Sequence, residues 1–298
     1  MCNGFGDLNR ELAIGAKVIN FWHGTPIKKI YLDASYDAQR FGGGWFASKV
    51  ARFSLYLLNK FIYFYYASNS LEQRLVTSAA RIDVARSARL GSPRFDYIRA
   101  KQASRNVSGG MFGNKKIILY APTWRECKVW HSDHKIANKD LLRLKEVLEQ
   151  NNYIMLVKPH PLTLTDEVLG WGLLDSEHIF LAEDYGFTDI NEIYPITVAM
   201  ITDISSAIFD YLVVGGKCFL FMPDLDDYIS GDRGLYDYYK KILGENCQKN
   251  WADLISKIEQ FAQGQESTGN DFLDELSSEI NGTRNTCSEI YRDLKIRI

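Results

Sequence analysis

The sequence predicts an α/β protein built on parallel strands. Short apolar runs alternate with longer amphipathic segments along most of the chain, which is the pattern of repeated β-α-β units. Hydrophobic residues make up 46% of the 298 residues and charged residues 24%, close to the averages of soluble globular proteins. This composition argues against a disordered, collagen-like or coiled-coil protein, and the length is sufficient for two domains or one large one.

The individual elements follow from these runs. Each strand candidate is an apolar run of strand length, and an amphipathic segment follows most of them. The predicted strands span residues 17–22, 62–66, 116–120, 153–158, 198–202 and 218–222. The predicted helices include residues 71–80, 140–149, 207–214 and 252–260.

Residues 101–114, KQASRNVSGGMFGN, are polar and rich in Gly and Ser and form the best linker candidate. We place the domain boundary inside this segment, which gives domains 1–108 and 109–298. Residues 1–110 carry 16 Lys and Arg against 7 Asp and Glu, whereas the rest of the chain carries 19 against 30. This asymmetry indicates that one of the two parts contacts an anionic partner.

Cysteine usage and targeting signals favour a cytosolic protein. The five cysteines are scattered without a CxxC pair, so neither a disulfide framework nor a zinc site is indicated. The N-terminal residues lack the features of a signal peptide. The most apolar stretch, residues 53–67, is too short and too polar for a transmembrane helix.

Polar residues cluster where the predicted strands end, and in open α/β sheets ligands bind at the carboxyl ends of strands. After the first strand come His23 and Gly24, and then Thr25 and Pro26 at the positions of a helix N-cap and first helical residue. Gly24 permits a tight turn close to a ligand. The imidazole of His23 suits a general base, although a structural histidine bonded to a backbone carbonyl remains equally compatible with this motif.

Two more strand ends carry cationic groups. The strand at 116–120 leads into Thr123 and Arg125, whose guanidinium can bind phosphate in a bidentate manner, and a solvated loop arginine is the alternative. The strand at 153–158 ends at Lys158, and two prolines then fix the backbone around His160. This pair suits phosphate binding or transition-state stabilisation, with a histidine that only shapes a turn as the alternative.

The fourth strand end contains Thr202, Asp203, Ser205 and Ser206. Serine is a favoured N-cap, and the free N–H groups of a helix N-terminus form a natural phosphate site. Ordinary helix capping explains one serine but not the whole cluster. We expect Asp203 to orient a neighbour or to cap the turn.

No metal site is predicted. Asp224 and Asp226 have the DxD spacing that binds divalent metals in other enzymes, but a loop with solvated carboxylates is the favoured interpretation. His131 and His134 lie in a run that reads as exposed and has no cysteine partners.

Taken together, these motifs resemble the CDP-glycerol glycerophosphotransferase family, the teichoic-acid and capsule polymerases. The matching segments occur in the family's order over about residues 17–240. They are WHGTPIKK (22–29), LGSPRFD (90–96), LYAPTWR (119–125), KPHP (158–161), TDISSAIFDY (202–211) and PDLDDY with DRG (223–234).

The resemblance implies two Rossmann-like domains that face a cleft, the glycosyltransferase-B type. It also implies transfer of glycerol phosphate from CDP-glycerol to a polyol-phosphate or lipid-linked acceptor, with release of CMP and without a cofactor or an obligatory metal. His23 and His160 would be the catalytic residues, with His23 as the base for the attacking hydroxyl. The implied substrate-binding set is Gly24, Thr25, Thr123, Arg125, Lys158, Thr202, Asp203, Ser205, Ser206, Asp227, Arg233 and Gly234, the last three on the nucleotide side.

Two departures from the family pattern qualify this expectation. Only about twenty residues precede the WHGTP segment, so we expect a partial, shortened N-terminal domain on the acceptor side, next to a complete nucleotide-binding domain. Ile204 stands where the family often has Tyr. The alternatives are a CDP-ribitol or nucleotide-sugar transferase of the same fold, or an inactive nucleotide-binding subunit.

The segment 46–60 is basic, aromatic and amphipathic, which favours contact with an anionic membrane or with the acceptor. Residues 61–66 are better explained as a buried strand. We therefore expect a peripheral protein on the inner face of the cell membrane. Nucleic-acid binding is not expected, because no base-reading or stacking motif accompanies the charge, and the oligomeric state is left open.

Overall fold

The computed structural model describes residues 15–34, 45–104, 111–124, 134–175, 177–226, 234–243, 247–265 and 270–298. Within these ranges the strands are β1 (Val18–Asn20), β2 (Ile62–Ala67), β3 (Ser87–Arg89), β4 (Lys116–Ala121), β5 (Tyr153–Val157), β6 (Ile179–Leu181), β7 (Thr197–Thr202), β8 (Lys217–Phe221) and β9 (Cys247–Gln248). The α-helices are α1 (Trp45–Lys60), α2 (Ser70–Ala80), α3 (Pro93–Ala103), α4 (Asn138–Gln150), α5 (Thr165–Gly170), α6 (Ile190–Ile193), α7 (Ala207–Tyr211), α8 (Tyr239–Leu243), α9 (Trp251–Ala262), α10 (Asp271–Gly282) and α11 (Thr286–Arg297).

The larger sheet has six parallel strands in the order β6-β5-β4-β7-β8-β9. Numbered from β4, this is the 3-2-1-4-5-6 order of a doubly wound Rossmann sheet. All five residues of β5 are buried, as expected for a parallel strand covered on both faces. The order of strands reverses between β4 and β7, which is where such sheets bind their ligands.

Amphipathic helices cover this sheet. Helix α4 buries Leu144, Val147 and Leu148, which recur at helical spacing and so form one apolar stripe. Helix α9 packs against α4 and begins where the side chain of Asn250 accepts a hydrogen bond from the backbone N–H of Asp253. The buried side chains of both helices belong to the same hydrophobic core as those of β4, β5, β7 and β8.

The smaller sheet has three parallel strands in the order β1-β2-β3. Helices α1 and α2 make the two crossovers. Asn69 caps α2, because its side-chain oxygen accepts from the backbone N–H of Glu72 at 2.8 Å. Within the described residues, apolar side chains of this sheet contribute to three small buried clusters.

The chain forms two compact units, and neither is a single continuous segment. The first unit comprises the described residues of Met1–Asp96, Ile229–Tyr239 and Glu275–Ile298, and the second unit those of Tyr97–Tyr228 and Lys240–Asp274. This division differs from the predicted domains 1–108 and 109–298, because α11 belongs to the first unit. The functional labels attached to those domains stay predictions.

Helix α11 is attached to the first unit by several side chains. Both carboxylate oxygens of Asp96 accept from backbone N–H groups at its start, those of Thr286 (3.1 Å) and Cys287 (2.8 Å). Further along the helix, the hydroxyl of Tyr66 on β2 donates to Asp293 at 2.7 Å. The carboxylate of Asp96 lies at the positive end of the helix dipole, where it is stabilising.

The six predicted strands are confirmed to within about one residue at most ends, and the α/β prediction with them. The short strands β3, β6 and β9 were not predicted. Helix α3 extends to Ala103, into the predicted linker, whose residues 105–110 lie outside the described part of the chain. No helix in the described ranges is long and apolar enough to cross a membrane.

Candidate functional site

His23 lies just beyond the carboxyl end of β1, in a loop with a constrained backbone. The side-chain oxygen of Asn20 accepts from the backbone N–H of Trp22 at 2.6 Å. Trp22 itself has φ +52°, in the left-handed region that non-glycine residues seldom adopt. The indole of Trp22 is buried, and the exposed imidazole of His23 stacks on it with ring centroids 4.1 Å apart.

Thr25 is fully buried, and its predicted part in substrate binding stays a prediction. Its hydroxyl donates to Oε2 of Glu72 (3.3 Å) and accepts from Nδ2 of Asn69 (2.7 Å). Gly24 is buried too and has φ +135°, a conformation that favours glycine. The turn at Gly24 therefore separates an exposed histidine from a buried threonine.

The prediction of a helix that begins at Thr25 and Pro26 is wrong. Lys28 instead forms an antiparallel bridge with Leu235, and the backbone N–H of Lys29 donates to the carbonyl of Gly234 at 3.1 Å. The hydroxyl of Tyr238 donates to the carbonyl of Pro26 at 2.5 Å. The backbone groups of this segment are thus paired in an extended conformation, which excludes a helix.

Gly234 therefore lies in the first unit, beside the WHGTPIKK segment. It has φ +67°, and a Cβ there would lie 3.5 Å from Cδ of Lys29. Burial raises the pKa of Tyr238 far above its usual value, so the phenol remains a donor to Pro26. Asp227 and Arg233, predicted with Gly234 on the nucleotide side, lie outside the described residues.

In the second unit, the loops that follow β4 and β7 are tied together at the point where the strand order reverses. The backbone N–H of Thr123 lies 3.2 Å from each carboxylate oxygen of Asp203, and the Thr123 hydroxyl also donates to Asp203. The hydroxyl of Thr202 donates to the carbonyl of Ala121 at 2.6 Å. Asp203 and Thr202 are both buried, so their hydrogen bonds hold the two loops in place from inside the protein.

Ser205 and Ser206 follow β7 and are half-buried. The hydroxyl oxygen of Ser205 accepts from the backbone N–H of Ala207 at 3.2 Å. Ser206 occupies the N-cap position with helical φ and ψ and no side-chain capping bond. The helix that follows, α7, has five residues and is shorter than the predicted 207–214, because residues 212–215 form turns.

His160 is exposed just beyond the carboxyl end of β5. Its Nδ1 accepts from the backbone N–H of Leu162 at 3.2 Å, which places the proton of the neutral imidazole on Nε2. The ring of Trp124, at the end of the β4 loop, has its centroid 6.4 Å from that of His160. His160 can therefore present an N–H donor to an anionic ligand.

The ammonium of Lys158 is 7% exposed and bonds to Oε1 of Glu183 at 2.6 Å. This ion pair offsets the positive charge on which its predicted role in phosphate binding depends. Arg125, the other predicted cation, lies outside the described residues. Among the predicted binding groups of the second unit that the structure describes, His160 is exposed, and Thr123, Ser205 and Ser206 are half-buried.

The expectation of solvated carboxylates at the DxD spacing is wrong for Asp224, which is buried, although Asp226 is exposed and pairs with Lys249 at 3.2 Å. His134 is buried as well, against the prediction, and its Nδ1 bonds to the hydroxyl of Tyr120. His131 lies outside the described residues. In the part of the chain that the structure describes, no group of three His, Cys, Asp or Glu could hold a metal ion.

The Rossmann strand order, the exposed histidines at two strand ends and the linked loops at the strand reversal agree with one family of enzymes. The family model for CDP-glycerol:poly(glycerophosphate) glycerophosphotransferase matches residues 11–276. The chain belongs to this family. The resemblance predicted from the motifs is confirmed.

Relatives similar to this glycerophosphotransferase family member include a teichoic acid transferase and a teichoic acid polymerase. The teichoic acid glycerol-phosphate transferase of Staphylococcus aureus is 29% identical over 85% of this chain. The teichoic acid poly(glycerol phosphate) polymerase of Bacillus spizizenii is 29% identical over 80% of it. The chain covers 63% and 60% of these two relatives, less than two thirds of their length.

Solved structures of similar shape support the same fold for this family member. The wall teichoic acid polymerase TagF matches 94% of this chain with a TM-score of 0.70 at 21% identity, and the match covers 69% of that chain. A UDP-N-acetylglucosamine 2-epimerase from Listeria monocytogenes matches 96% of the chain and 69% of its own with a TM-score of 0.54 at 11% identity. The predicted fold class, with two Rossmann-like domains, is confirmed, whereas the facing of those domains stays a prediction.

Proposed function

We propose that the protein transfers glycerol phosphate from CDP-glycerol to a polyol-phosphate acceptor of the teichoic-acid or capsular type and releases CMP. Family membership over residues 11–276 supports the reaction class, and one of the solved TagF structures was soaked with CDPG. The observation that carries the proposal is the placement of His23 and His160. Each imidazole is exposed just beyond the carboxyl end of a parallel strand, one in each Rossmann-like unit.

In this proposal the oxygen of the acceptor hydroxyl attacks the phosphorus that carries glycerol, and His23 takes up the proton of that hydroxyl. The bond between this phosphorus and the oxygen of CMP breaks, and CMP leaves with both electrons of that bond. Such a transfer depends on positioning and charge stabilisation rather than on a covalent enzyme intermediate. No cofactor is part of the proposed reaction.

His160, with the proton on Nε2, would donate to the pyrophosphate oxygens, and the serines after β7 would contribute further donors. Arg125 would add positive charge. Thr123 and Asp203 would act indirectly, since their mutual hydrogen bonds hold the β4 and β7 loops in place. We propose Thr25 and Lys158 as supporting residues too, because their polar groups are bound to Glu72 and Glu183.

The test is CMP release from CDP-glycerol in the presence of an oligomeric glycerol-phosphate acceptor. His23→Ala and His160→Ala should each reduce the rate by about 10²–10⁴-fold, the usual range for a lost acid–base or charge-stabilising group. His178→Gln is the matched control, because His178 is a buried histidine in the segment that leads into β6, and it should retain turnover. Undiminished turnover in both alanine variants would contradict the proposal.

CDP-ribitol in a parallel reaction tests the first alternative. Ribitol-phosphate enzymes are among the relatives, but the ribitol-phosphate primase of Bacillus spizizenii matches only 57% of this chain. Turnover with CDP-ribitol but not with CDP-glycerol would identify CDP-ribitol as the donor instead. Nucleotide binding without turnover of either donor would favour an inactive subunit.

We further propose that the protein is cytoplasmic and contacts an anionic membrane through α1. Val50, Phe53 and Leu57 recur at helical spacing and are all exposed, as is Phe61 after the helix. Lys49 lies beside them and is exposed too, so apolar and cationic groups share one surface. The guanidinium of Arg52 is not part of this surface, because it donates to the carbonyls of Leu32 and Ala34 at 2.6 and 3.2 Å.

Co-sedimentation with phosphatidylglycerol and phosphatidylcholine vesicles tests this contact. Phe53→Glu should lower binding to the anionic vesicles, whereas Leu169→Glu, at an equally exposed leucine of the second unit, should not. Equal binding of the unchanged protein to both kinds of vesicle would contradict the proposal.

A further inference from the structure

Beneath the His23 loop lies a buried carboxyl group that none of the motifs contains. Glu72 on α2 is 1% exposed. Its Oε1 accepts from the hydroxyl of Tyr65 at 2.5 Å, and its Oε2 accepts from the hydroxyls of Ser68 and of Thr25, the latter at 3.3 Å. Three hydroxyl groups thus converge on one carboxyl group inside the first unit.

Stability alone does not account for this arrangement. Removing a carboxylate from water is costly even where hydrogen bonds compensate, and well-packed apolar residues often serve as well in its place. A fully bonded polar network inside a protein does, however, restrict its members to one geometry. The network therefore indicates that its side chains need to be held in fixed positions.

One connection runs from Glu72 to His23 through the backbone. The hydroxyl of Thr25 is oriented from two sides, because it donates to Glu72 and accepts from Nδ2 of Asn69 at 2.7 Å. Asn69 also caps α2 by accepting from the backbone N–H of Glu72. Since Thr25 follows His23 after a single glycine, fixing its side chain restricts the backbone that carries the imidazole.

A second connection runs through aromatic rings. Tyr65 is fully buried and packs with Trp22 in one hydrophobic cluster, and Trp22 stacks on His23. Burial and the neighbouring Glu72 raise the pKa of Tyr65 well above its usual value, so its hydroxyl stays a donor. The carboxyl group of Glu72 thereby holds the ring of Tyr65 in place. Tyr65 packs with Trp22, and the indole of Trp22 stacks against the imidazole of His23.

We propose that Glu72 is a positioning residue that holds the His23 imidazole in the orientation needed to accept the proton of the acceptor hydroxyl. It acts through Thr25 and through Tyr65 and Trp22, and it does not contact substrate. The inference rests on the proposed function for its catalytic consequence, but the orientation of His23 can be measured without turnover.

The experiment compares Glu72→Gln, Thr25→Val and Thr25→Ser in the full chain. Glu72→Gln and Thr25→Val should lower kcat for CMP release by about tenfold or more, since small misplacements of a catalytic group are costly, and leave the KM for CDP-glycerol within about twofold. Thr25→Ser retains the hydroxyl and should restore kcat. Glu279→Gln is the matched control, because Glu279 is a carboxylate of the same unit that accepts from Ser70 on the same helix, and it should keep kcat.

Histidine-selective NMR provides a readout that is independent of activity. The ring signals of His23 should shift or broaden in Glu72→Gln and Thr25→Val, whereas those of His160 should stay unchanged. Unaltered His23 signals with unaltered kcat would overturn the inference, and so would an equal loss of kcat in Glu279→Gln. If the unchanged protein releases no CMP, the proposed function fails, and the His23 spectra still decide the role of Glu72.

Discussion

Replacing Gly91 with alanine should detach the start of α11 from the first unit. Gly91 belongs to the LGSPRFD segment and has φ +85°, and a Cβ there would lie 2.7 Å from the hydroxyl oxygen of Thr286 and 3.0 Å from that of Thr283. Neither oxygen can retreat easily. Thr286 is fully buried, and the hydroxyl of Thr283 donates to the carbonyl of Ile280 at 2.7 Å.

The expected cost has two parts. A left-handed conformation costs an L-residue about 1–2 kcal/mol, and a forced contact in a packed interior costs about 1–3 kcal/mol. Alanine also makes the unfolded chain less flexible than glycine does, which offsets about 0.4–1 kcal/mol of this cost. Gly91→Ala should therefore lower the free energy of unfolding by about 1–4.6 kcal/mol, the combined effect of these three contributions.

Gly172→Ala separates the two parts, because Gly172 has φ +66° but a Cβ at this position would have no atom within 4 Å. It should show the backbone cost alone. Urea unfolding followed by circular dichroism gives both values, and amide hydrogen exchange in peptides covering Thr286–Arg297 reports on α11 directly. A difference between the two variants below about 0.5 kcal/mol, against the roughly 1–3 kcal/mol expected for the contact, would refute the reasoning.

Contacts elsewhere lead to three other expected outcomes. Asp96→Asn should lower the free energy of unfolding by about 1 kcal/mol. Burial and then Asp96 raise the pKa of the Cys287 thiol, so Cys287 should also react faster with thiol reagents in this variant. An unchanged reaction rate would contradict this. Burial raises the pKa of Asp175, but three backbone N–H donors and a lysine lower it by more. The stabilisation from the ionised carboxylate is therefore lost as the pH falls below about 4. Asp175→Asn should reduce the fall in the free energy of unfolding with decreasing pH, measured by urea unfolding, and an identical fall would contradict this. Glu183→Gln should lower the free energy of unfolding by about 1–3 kcal/mol, because it leaves the buried ammonium of Lys158 without its carboxylate. An unchanged urea midpoint would contradict this.

The sequence was sufficient for the four central strands of the larger sheet, β5, β4, β7 and β8, and for the family. A strand such as β5, buried along its whole length, reads as a continuous apolar run that few other structures produce. Strands β3 and β9 have three and two residues and include partly exposed ones, so they leave no periodic signal. They are recognisable only by their pairing with longer neighbours.

The errors arose where a residue's partner lies far along the chain. The sequence of Thr25 and Pro26 favours a helix start locally, but pairing with the segment at Leu235 overrides it. Asp224 and His134 occur in polar surroundings in the sequence but are buried in the structure. The ring of His134 packs beside those of Tyr120 on β4 and Phe221 on β8. Glu72 was missed because a glutamate in an amphipathic helix normally faces solvent. The roles of the candidate site residues themselves stay predictions.

The first unit is interleaved with the second along the chain, and this has a consequence for synthesis on the ribosome. Ile30 and its partner Tyr236 are 206 residues apart, and Lys17 and Arg297 are 280 apart. At about 5–20 residues per second, the segment around Ile30 waits roughly 10–40 seconds for Tyr236. Most of the six-stranded sheet emerges and can fold during that interval. The segments of the first unit that precede the larger sheet are therefore completed only after most of that sheet has emerged, when residues 229–239 and 275–298 have been added.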